Sequence, residues 1–371
     1  MNNKKIKLIE PVIDQKEIRG IIEVLRSGWL TEGPKTKKFE ELIMKYLDVE
    51  FAIATTSCTT ALELALRVIG VGPQDEVIIP DFTHPATGNI VRWVGAHPVL
   101  VDVDLFTYNI DFDQIEKALS NKVRCIIPVS WGGNPLNPKQ LKEIKEKHNL
   151  VIIEDAACGL GAEYDGIKTG KMSDITCFSF HPRKIITTGE GGMLVTDNPS
   201  YANKVKLLKN FGMVTENKQN KFIEYGTNYK FSDILAIIGI KQMEKIEEII
   251  KKRIELAKHY DELLSKVNYI RVPHKEKNAR HTYQTYAIYI EKEGLRDKLI
   301  AHLRKKNIEA QIGTYALHLQ PSYSEVKKIG KLENSAKLYR NLIALPMCHS
   351  MTKEEQERVV SEIKEFIRQN Q

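Results

Sequence analysis

The chain lacks the features that mark secreted, membrane-spanning and nucleic-acid-binding proteins. Its five cysteines, Cys58, Cys125, Cys158, Cys177 and Cys348, form no CxxC pair. Several sit in apolar or glycine-rich runs, where a reduced, buried thiol is the ordinary occupant. This argues against a disulfide framework and points to the cytoplasm. No stretch approaches the ~20 apolar residues needed to cross a bilayer, and Met1–Glu10 has no long apolar core of the kind a secretory leader carries. The formal charge of +7 is spread over helices that mix Lys with Glu. Without clustered arginine or an aromatic stripe, that excess leaves no nucleic-acid footprint, whereas a small polyanionic substrate suits it. There is no internal repeat, no low-complexity segment, and no metal site is expected.

What is present is a large globular chain, 42% hydrophobic and 28% charged over 371 residues, long enough for one large and one smaller domain. Short β-rich runs at Glu76–Pro80, Pro98–Asp104, Arg124–Ser130, Leu150–Asp155, Ile175–Phe180 and Gly192–Thr196 alternate with helical stretches. The helical stretches are Thr59–Ile69, His84–Val94, Asp111–Ser120, with Asp111 as its cap, and Pro138–Lys147. Such alternation predicts an α/β sheet with both faces covered. From Ser232 the pattern changes. One long helix is expected from about Asp233 to Val267, followed by an extended Tyr283–Ile290 run, a helix over Leu295–Lys306, a Gly313–Tyr323 loop and a closing helix Lys353–Gln369. These predict a large cofactor-binding domain over residues 1–245, including an N-terminal arm, and a smaller α+β domain over residues 246–371.

Three separated pieces carry chemistry. Lys184 lies in Ser179-Phe-His-Pro-Arg-Lys-Ile-Ile-Thr-Thr-Gly-Glu-Gly-Gly-Met193, after one strand and before a cluster of glycines. A lysine at a partly desolvated strand end beside other cations is placed to lose its proton and attack an aldehyde. Glycines 189, 191 and 192 let backbone approach a bound ring or phosphate closely. Asp155 ends the apolar strand Leu-Val-Ile-Ile-Glu-Asp, and ligands of open α/β sheets bind beyond strand carboxyl ends. A carboxylate there can keep a pyridine nitrogen protonated, or it can cap a turn. Ser57, Cys58 and Thr59 open the Ala-Leu-Glu-Leu-Ala-Leu helix, where hydroxyls, orphan N–H groups and the helix dipole favour a phosphate; plain capping by Ser57 is compatible with that. An imine-forming lysine, a carboxylate and a phosphate cradle are the contacts that pyridoxal 5′-phosphate requires.

These residues lie in ordered motifs: Ser57-Cys-Thr-Thr-Ala-Leu, Pro80-Asp-Phe-Thr-His-Pro-Ala-Thr, Val151-Ile-Ile-Glu-Asp-Ala-Ala, Ser179-Phe-His-Pro-Arg-Lys and Thr188-Gly-Glu-Gly-Gly-Met. The set resembles the DegT/DnrJ/StrS sugar aminotransferases, fold-type I pyridoxal-phosphate enzymes. The likeness runs from Ser27-Gly-Trp-Leu-Thr-Glu-Gly-Pro34 through Gly226-Thr-Asn-Tyr-Lys-Phe-Ser-Asp233 to Leu345-Pro346. It implies a large, mixed, mostly parallel sheet flanked by helices, plus a smaller C-terminal α+β domain. It implies further that Lys184 is the internal aldimine lysine, that Asp155 partners the pyridine nitrogen, and that Thr59 and Ser179 bind phosphate. Asn228 would reach the neighbouring subunit's cofactor, giving a homodimer with shared sites; an asparagine in a left-handed turn beside Gly226 would look the same in sequence.

The resemblance also carries departures and rivals. His84 stands where the family commonly has Phe or Trp over the cofactor ring. Cys158 stands where Gln or His is common near the phenolic oxygen, Cys58 where Gly or Ala is common, and Lys230 where Arg is common. The implied reaction is a ping-pong transamination from glutamate or glutamine to a nucleotide-linked keto sugar, with Trp29, Thr31, Lys230, Tyr315 and His318 as substrate-contact candidates. A related sugar dehydratase and a non-catalytic sensor on the same scaffold are the alternatives. In the related dehydratases a histidine replaces the lysine, so Lys184 favours transamination.

Overall fold

The computed structural model describes residues 4–370, so the first three residues of Met1–Glu10 and the last residue of the 246–371 span lie outside it. Across the main sheet the strands run Phe51–Thr55, Gly192–Thr196, Ile175–Ser179, Val151–Asp155, Val123–Ile126, Glu76–Pro80, His97–Val101 and the short Lys327–Lys328. All pairings are parallel except those of Gly192–Thr196, which is antiparallel to both its neighbours. The central runs are apolar without a polar face because helices cover both sides of the sheet. Six of these strands fall where the sequence pattern predicts them.

The Cys58–Val68 helix is closed at its start by a reciprocal box between Ser57 and Thr60. His84 caps Pro85–Trp93 and Asp111 caps Phe112–Ala118. A second, four-stranded antiparallel sheet, Ile270–Arg271, Tyr286–Ile290, Leu342–Leu345 and Gln311–Ile312, packs with the helices Ile246–Leu264, Arg296–Lys305 and Lys353–Gln369. Ile6 bridges to Ile308, so the N-terminal arm joins this second cluster.

Two expectations are corrected. The single helix over Asp233–Val267 is two helices, Asp233–Met243 and Ile246–Leu264, broken where Lys245 leaves helical geometry at φ −124°, ψ 9°. The Lys245 ammonium is drawn to Glu17 at 2.6 Å and Asp14 at 2.9 Å, and Gln242 beside the break donates to Glu17 and to the Val12 carbonyl. The break thus docks the chain onto the first helix, Gln15–Ser27. The Gly313–Tyr323 segment is not a plain loop either: Tyr315–Ala316 pairs with Phe82–Thr83 in a separate two-stranded ladder just beyond the Glu76–Pro80 strand.

Register then converges the chemistry. Asp155 lies opposite Cys177, Ser179 opposite Gly192, and Gly192 opposite Thr55. The end of the Asp155 strand, the turn carrying Lys184 and the start of the Cys58 helix therefore open on one edge of the sheet, at its carboxyl-terminal side.

Candidate active site

A cavity of about 520 Å³ opens at that edge, and eight of the residues singled out in the sequence line it: Ser57, Cys58, Thr59, His84, Asp155, Cys158, Ser179 and Lys184. Lys184 follows a tight turn in which its N–H donates to the His181 carbonyl. Its amine donates to Cys158 Sγ at 3.2 Å. Burial pulls the Lys184 amine down, but Cys158, Asp155 and Cys58 more than offset it, leaving the group above its ordinary value. This reverses the expectation of an amine depressed by neighbouring cations. The Cys158 sulfur that the nitrogen touches and the Asp155 carboxylate in the same cavity both favour the ammonium.

Asp155 is 5% exposed and held from three sides. Thr87 Oγ1 donates to Oδ2 at 2.7 Å, the Ala157 N–H donates to Oδ1 at 3.2 Å, and the Cys58 thiol lies 4.0 Å from Oδ1. Thr83 and Thr87 hydroxyls meet at 3.0 Å behind the carboxylate. Glu154, one residue earlier, turns to Ser130 and Ser173, and burial pushes its carboxyl up to about 7. Strand alternation thus separates two adjacent acids, one into the cavity and one into the interior.

Gly192 passes close to the helix start that the sequence marks as a candidate anion cradle. A Cβ on Gly192 would lie 2.3 Å from the Ser57 carbonyl carbon and 2.5 Å from the Cys58 nitrogen, so only glycine permits this approach. Ser57 Oγ accepts from the Thr60 N–H at 3.1 Å and is therefore a cap. The N–H groups of Cys58 and Thr59 have no acceptor within the helix. The Thr59 side chain is exposed at the cavity wall, and Ser179 stands across from it in the lining.

His84 Nδ1 accepts the Ala86 N–H at 3.1 Å, which assigns the proton of the neutral ring to Nε2. Burial, then Lys184, pull this imidazole below its ordinary value. Its ring lies 6.4 Å from Tyr315, edge-on at 72°. Cys158 meets Lys184, a contact absent from the sequence reading.

The remaining candidates do not line this cavity. Asn228 is exposed, bridges to Asn210 and accepts from the Lys230 N–H at 3.4 Å. Its φ is not positive, which rules out the left-handed turn. Lys230 lies 3.3 Å from Asn210 Oδ1 and 4.4 Å from the centre of the Phe211 ring. Trp29 is 55% exposed and donates to the Glu32 carbonyl, and the Thr31 carbonyl receives the Asp233 N–H. His318 Nδ1 meets the fully buried Asp81 carboxylate at 2.6 Å. Sequence reasoning missed Thr87, Arg183, Gln284 and Gln311. Thr87 at least sits in a quoted motif, three residues after a helix cap.

A lysine at a strand end, a fixed carboxylate beside it and an anion cradle, on a mostly parallel sheet with a smaller antiparallel one, define a transaminase of fold-type I architecture. Residues 11–364 match the DegT/DnrJ/EryC1/StrS aminotransferase family, and the chain belongs to that family. It is 37% identical over 388 residues to UDP-4-amino-4-deoxy-L-arabinose–oxoglutarate aminotransferase of Shewanella sediminis, covering 99% of each chain. It is 36% identical over 327 residues to GDP-perosamine synthase of Caulobacter vibrioides, covering 87% of this chain and 88% of that one. Its fold superposes on the aminotransferase TlmJ of Streptoalloteichus hindustanus with a TM-score of 0.94 at 28% identity, covering 99% and 100% of the two chains. Solved relatives include chains in PLP and PMP forms, and the family is PLP-dependent. No helix among the described residues is long and apolar enough to cross a membrane.

Proposed function

We propose that this protein is a pyridoxal-phosphate-dependent sugar aminotransferase that moves an amino group from glutamate or glutamine to a nucleotide-linked keto sugar. The observation that carries the reading is the Lys184 amine, desolvated in a cavity whose wall holds Asp155. The residues present fit the cofactor. The glycine-only approach at Gly192 leaves the Cys58 and Thr59 N–H groups and the Thr59 and Ser179 hydroxyls for a phosphate, and Asp155 supplies a fixed anion for a ring nitrogen. When bound, pyridoxal phosphate supplies an aldehyde for the amine exchange and a ring that withdraws electrons from the reacting carbon.

The chain's own groups do the rest. Asp155, braced by Thr87 and Ala157, would hold the proton on the ring nitrogen. Lys184 would hold the cofactor through Nζ, and its amine would serve as the acid–base group that moves a proton at the donor's α-carbon. Because it starts as an ammonium favoured by Cys158 and Asp155, it must give up a proton before attachment. His84, set by its cap bond, offers a flat ring with Nε2–H at the cavity wall. The choice of donor is supported by the Shewanella relative, whose name pairs the amino sugar with oxoglutarate, the keto form of glutamate. The nucleotide-linked acceptor is supported by the UDP- and GDP-sugar relatives.

The proposal includes a homodimer with shared sites, supported by Asn228, exposed and away from its own cavity. It includes the division at residue 245, supported by the separate hydrophobic cluster that takes up the chain from Leu256, although Ile246, Ile249 and Ile250 still pack with the large sheet. Borohydride reduction should fix the cofactor's mass on Lys184, and a panel of nucleotide keto sugars offered to the amine form of the enzyme identifies the acceptor. No cofactor mass on Lys184, or no sugar consumed by any member of the panel, would overturn the reading.

A further inference from the structure

An amino-acid donor must bring a carboxylate beside the amine it delivers, and the cavity contains few groups able to receive one. Of its cationic residues, Lys184 is committed to the exchange. Burial pulls both His84 and His181 below their ordinary values, so neither imidazole is a permanent cation. Asp155 and Glu190 are negative and repel the donor's carboxylate. That leaves Arg183, always charged and forked.

Arg183 is prepared for the task. Its N–H donates to His181 Nδ1 at 3.2 Å, and its carbonyl accepts from Gln284 Nε2 at 2.6 Å, so its main chain is fixed from both sides. Its guanidinium makes one bond, Nη1 to Gln311 Oε1 at 3.1 Å, and has no carboxylate partner among the described residues. Nε and Nη2 remain for a ligand. Gln284 and Gln311 come from the smaller unit, so the arginine is aimed by groups outside its own motif.

A second guanidinium stands behind it. Arg253 is 4% exposed and donates to the Tyr283 and Gln284 carbonyls at 2.9 and 2.7 Å. No carboxylate pairs with it among the described residues, and its Nη1 has no partner. It lines a small adjoining cavity together with Arg183, Gln284, Thr285 and Gln311, all but Arg253 itself shared with the main cavity. A buried charge without a counter-ion is costly unless an anion completes it.

We propose that this corner is the carboxylate subsite for the amino donor: Arg183 grips the carboxylate next to the amine exchanged at Lys184, and Arg253 adds positive potential from behind. The inference rests on the aminotransferase reading above. Two readouts test it on the holoenzyme: calorimetric binding of glutarate, a dicarboxylate with no amine to transfer, and the rate of the donor half-reaction against glutamate concentration. Arg183→Gln should weaken glutarate binding and raise the KM for glutamate by roughly ten- to a hundredfold, as loss of a charge-assisted fork predicts. The limiting rate of that half-reaction should change far less, Arg183→Lys should restore part of the affinity, and Gln311→Ala should produce a smaller loss. Glutarate binding equal to wild type in Arg183→Gln would overturn the subsite, whether or not a sugar is accepted. Weakened glutarate binding in an enzyme that takes no nucleotide keto sugar would uphold the subsite and overturn the acceptor assignment instead.

Discussion

Replacing Gly192 with alanine puts the cradle to a direct test. The added Cβ would fall 2.3 Å from the Ser57 carbonyl carbon, 2.4 Å from its oxygen and 2.5 Å from the Cys58 nitrogen. Ordinary contact needs about 3.5 Å, so strand and helix start must separate by roughly 1 Å. Neither partner is a flexible side chain. Overpacking of this kind costs about 1–3 kcal/mol of stability. The same shift lifts the Cys58 and Thr59 N–H groups off any anion seated between helix and glycine turn, and losing one or two such bonds lowers cofactor affinity by roughly ten- to a hundredfold. Gly189→Ala is the control: nothing lies within 4 Å of its added Cβ, but its φ of +91° strains a side-chain-bearing residue. It should lose about 1 kcal/mol of stability with little change in affinity. Thermal unfolding and titration with pyridoxal phosphate, followed by absorbance, separate the two effects. A Gly192→Ala protein that melts and binds as wild type does would refute the assignment of a glycine-only cradle.

Lys184→Ala should fold normally yet show no turnover and no borohydride-trapped cofactor by mass spectrometry; amino transfer by that variant would remove Lys184 from the reaction. Asp155→Asn should retain the cofactor and slow proton abstraction by several orders of magnitude in the donor half-reaction, because an amide cannot hold the ring nitrogen's proton; an unchanged rate excludes the role. Cys158→Ala removes the largest of the influences that raise Lys184, while burial continues to lower it, so the pH dependence of attachment to pyridoxal phosphate should move to lower pH. The sign also applies to stability. A group raised in the fold contributes stability that is full below its unfolded value of 10.5 and is lost as pH climbs through the higher folded one, so the variant should lose less of its stability in strongly alkaline solution. Asp233→Ala removes the carboxylate that accepts from the Gly33, Lys35 and Thr36 N–H groups and the Thr36 hydroxyl. It should lower the melting temperature by several degrees, about 2 kcal/mol, without altering cofactor affinity.

Asp233 shows which part of the fold a single sequence conceals. The Pro34–Leu47 helix begins after Gly33, which has no side chain to cap it, and its cap comes from a residue about two hundred positions later. Local patterning finds helices that carry their own start signal, such as Ser57 before Cys58–Val68 and Asp111 before Phe112–Ala118. It passes over those whose caps arrive by tertiary contact. The same limit explains the merged Asp233–Val267 helix. No glycine or proline marks the break, which is set by Lys245 reaching Glu17 and Asp14 on another helix. Strands of the main sheet were legible because burial on both faces makes them continuous apolar runs. In the smaller sheet Tyr286–Ile290 falls within the expected extended run, whereas Ile270–Arg271 and Gln311–Ile312 have two residues each, too short for a period to show.

The site divides along a different line. Lys184, Asp155, Thr59 and Ser179 could be read because strand ends and helix starts fix where a side chain points. What neighbours do to those side chains could not. Arg183 precedes Lys184 in the chain, and sequence adjacency suggests a cation that would depress the amine. In the fold the Arg183 guanidinium is tethered to Gln311, while the nearest group to the Lys184 nitrogen is Cys158 from the turn after the adjacent strand. The electrostatic sign therefore follows sheet register, which sets Asp155 opposite Cys177, rather than chain order. Thr87 follows the same rule: it belongs to a motif from which Thr83, His84 and Ala86 line the cavity, yet its hydroxyl is fully buried and braces Asp155. Identity of residue and position of motif give the candidate groups that line the cavity. Their protonation is decided by contacts between strands that only the folded sheet brings within reach.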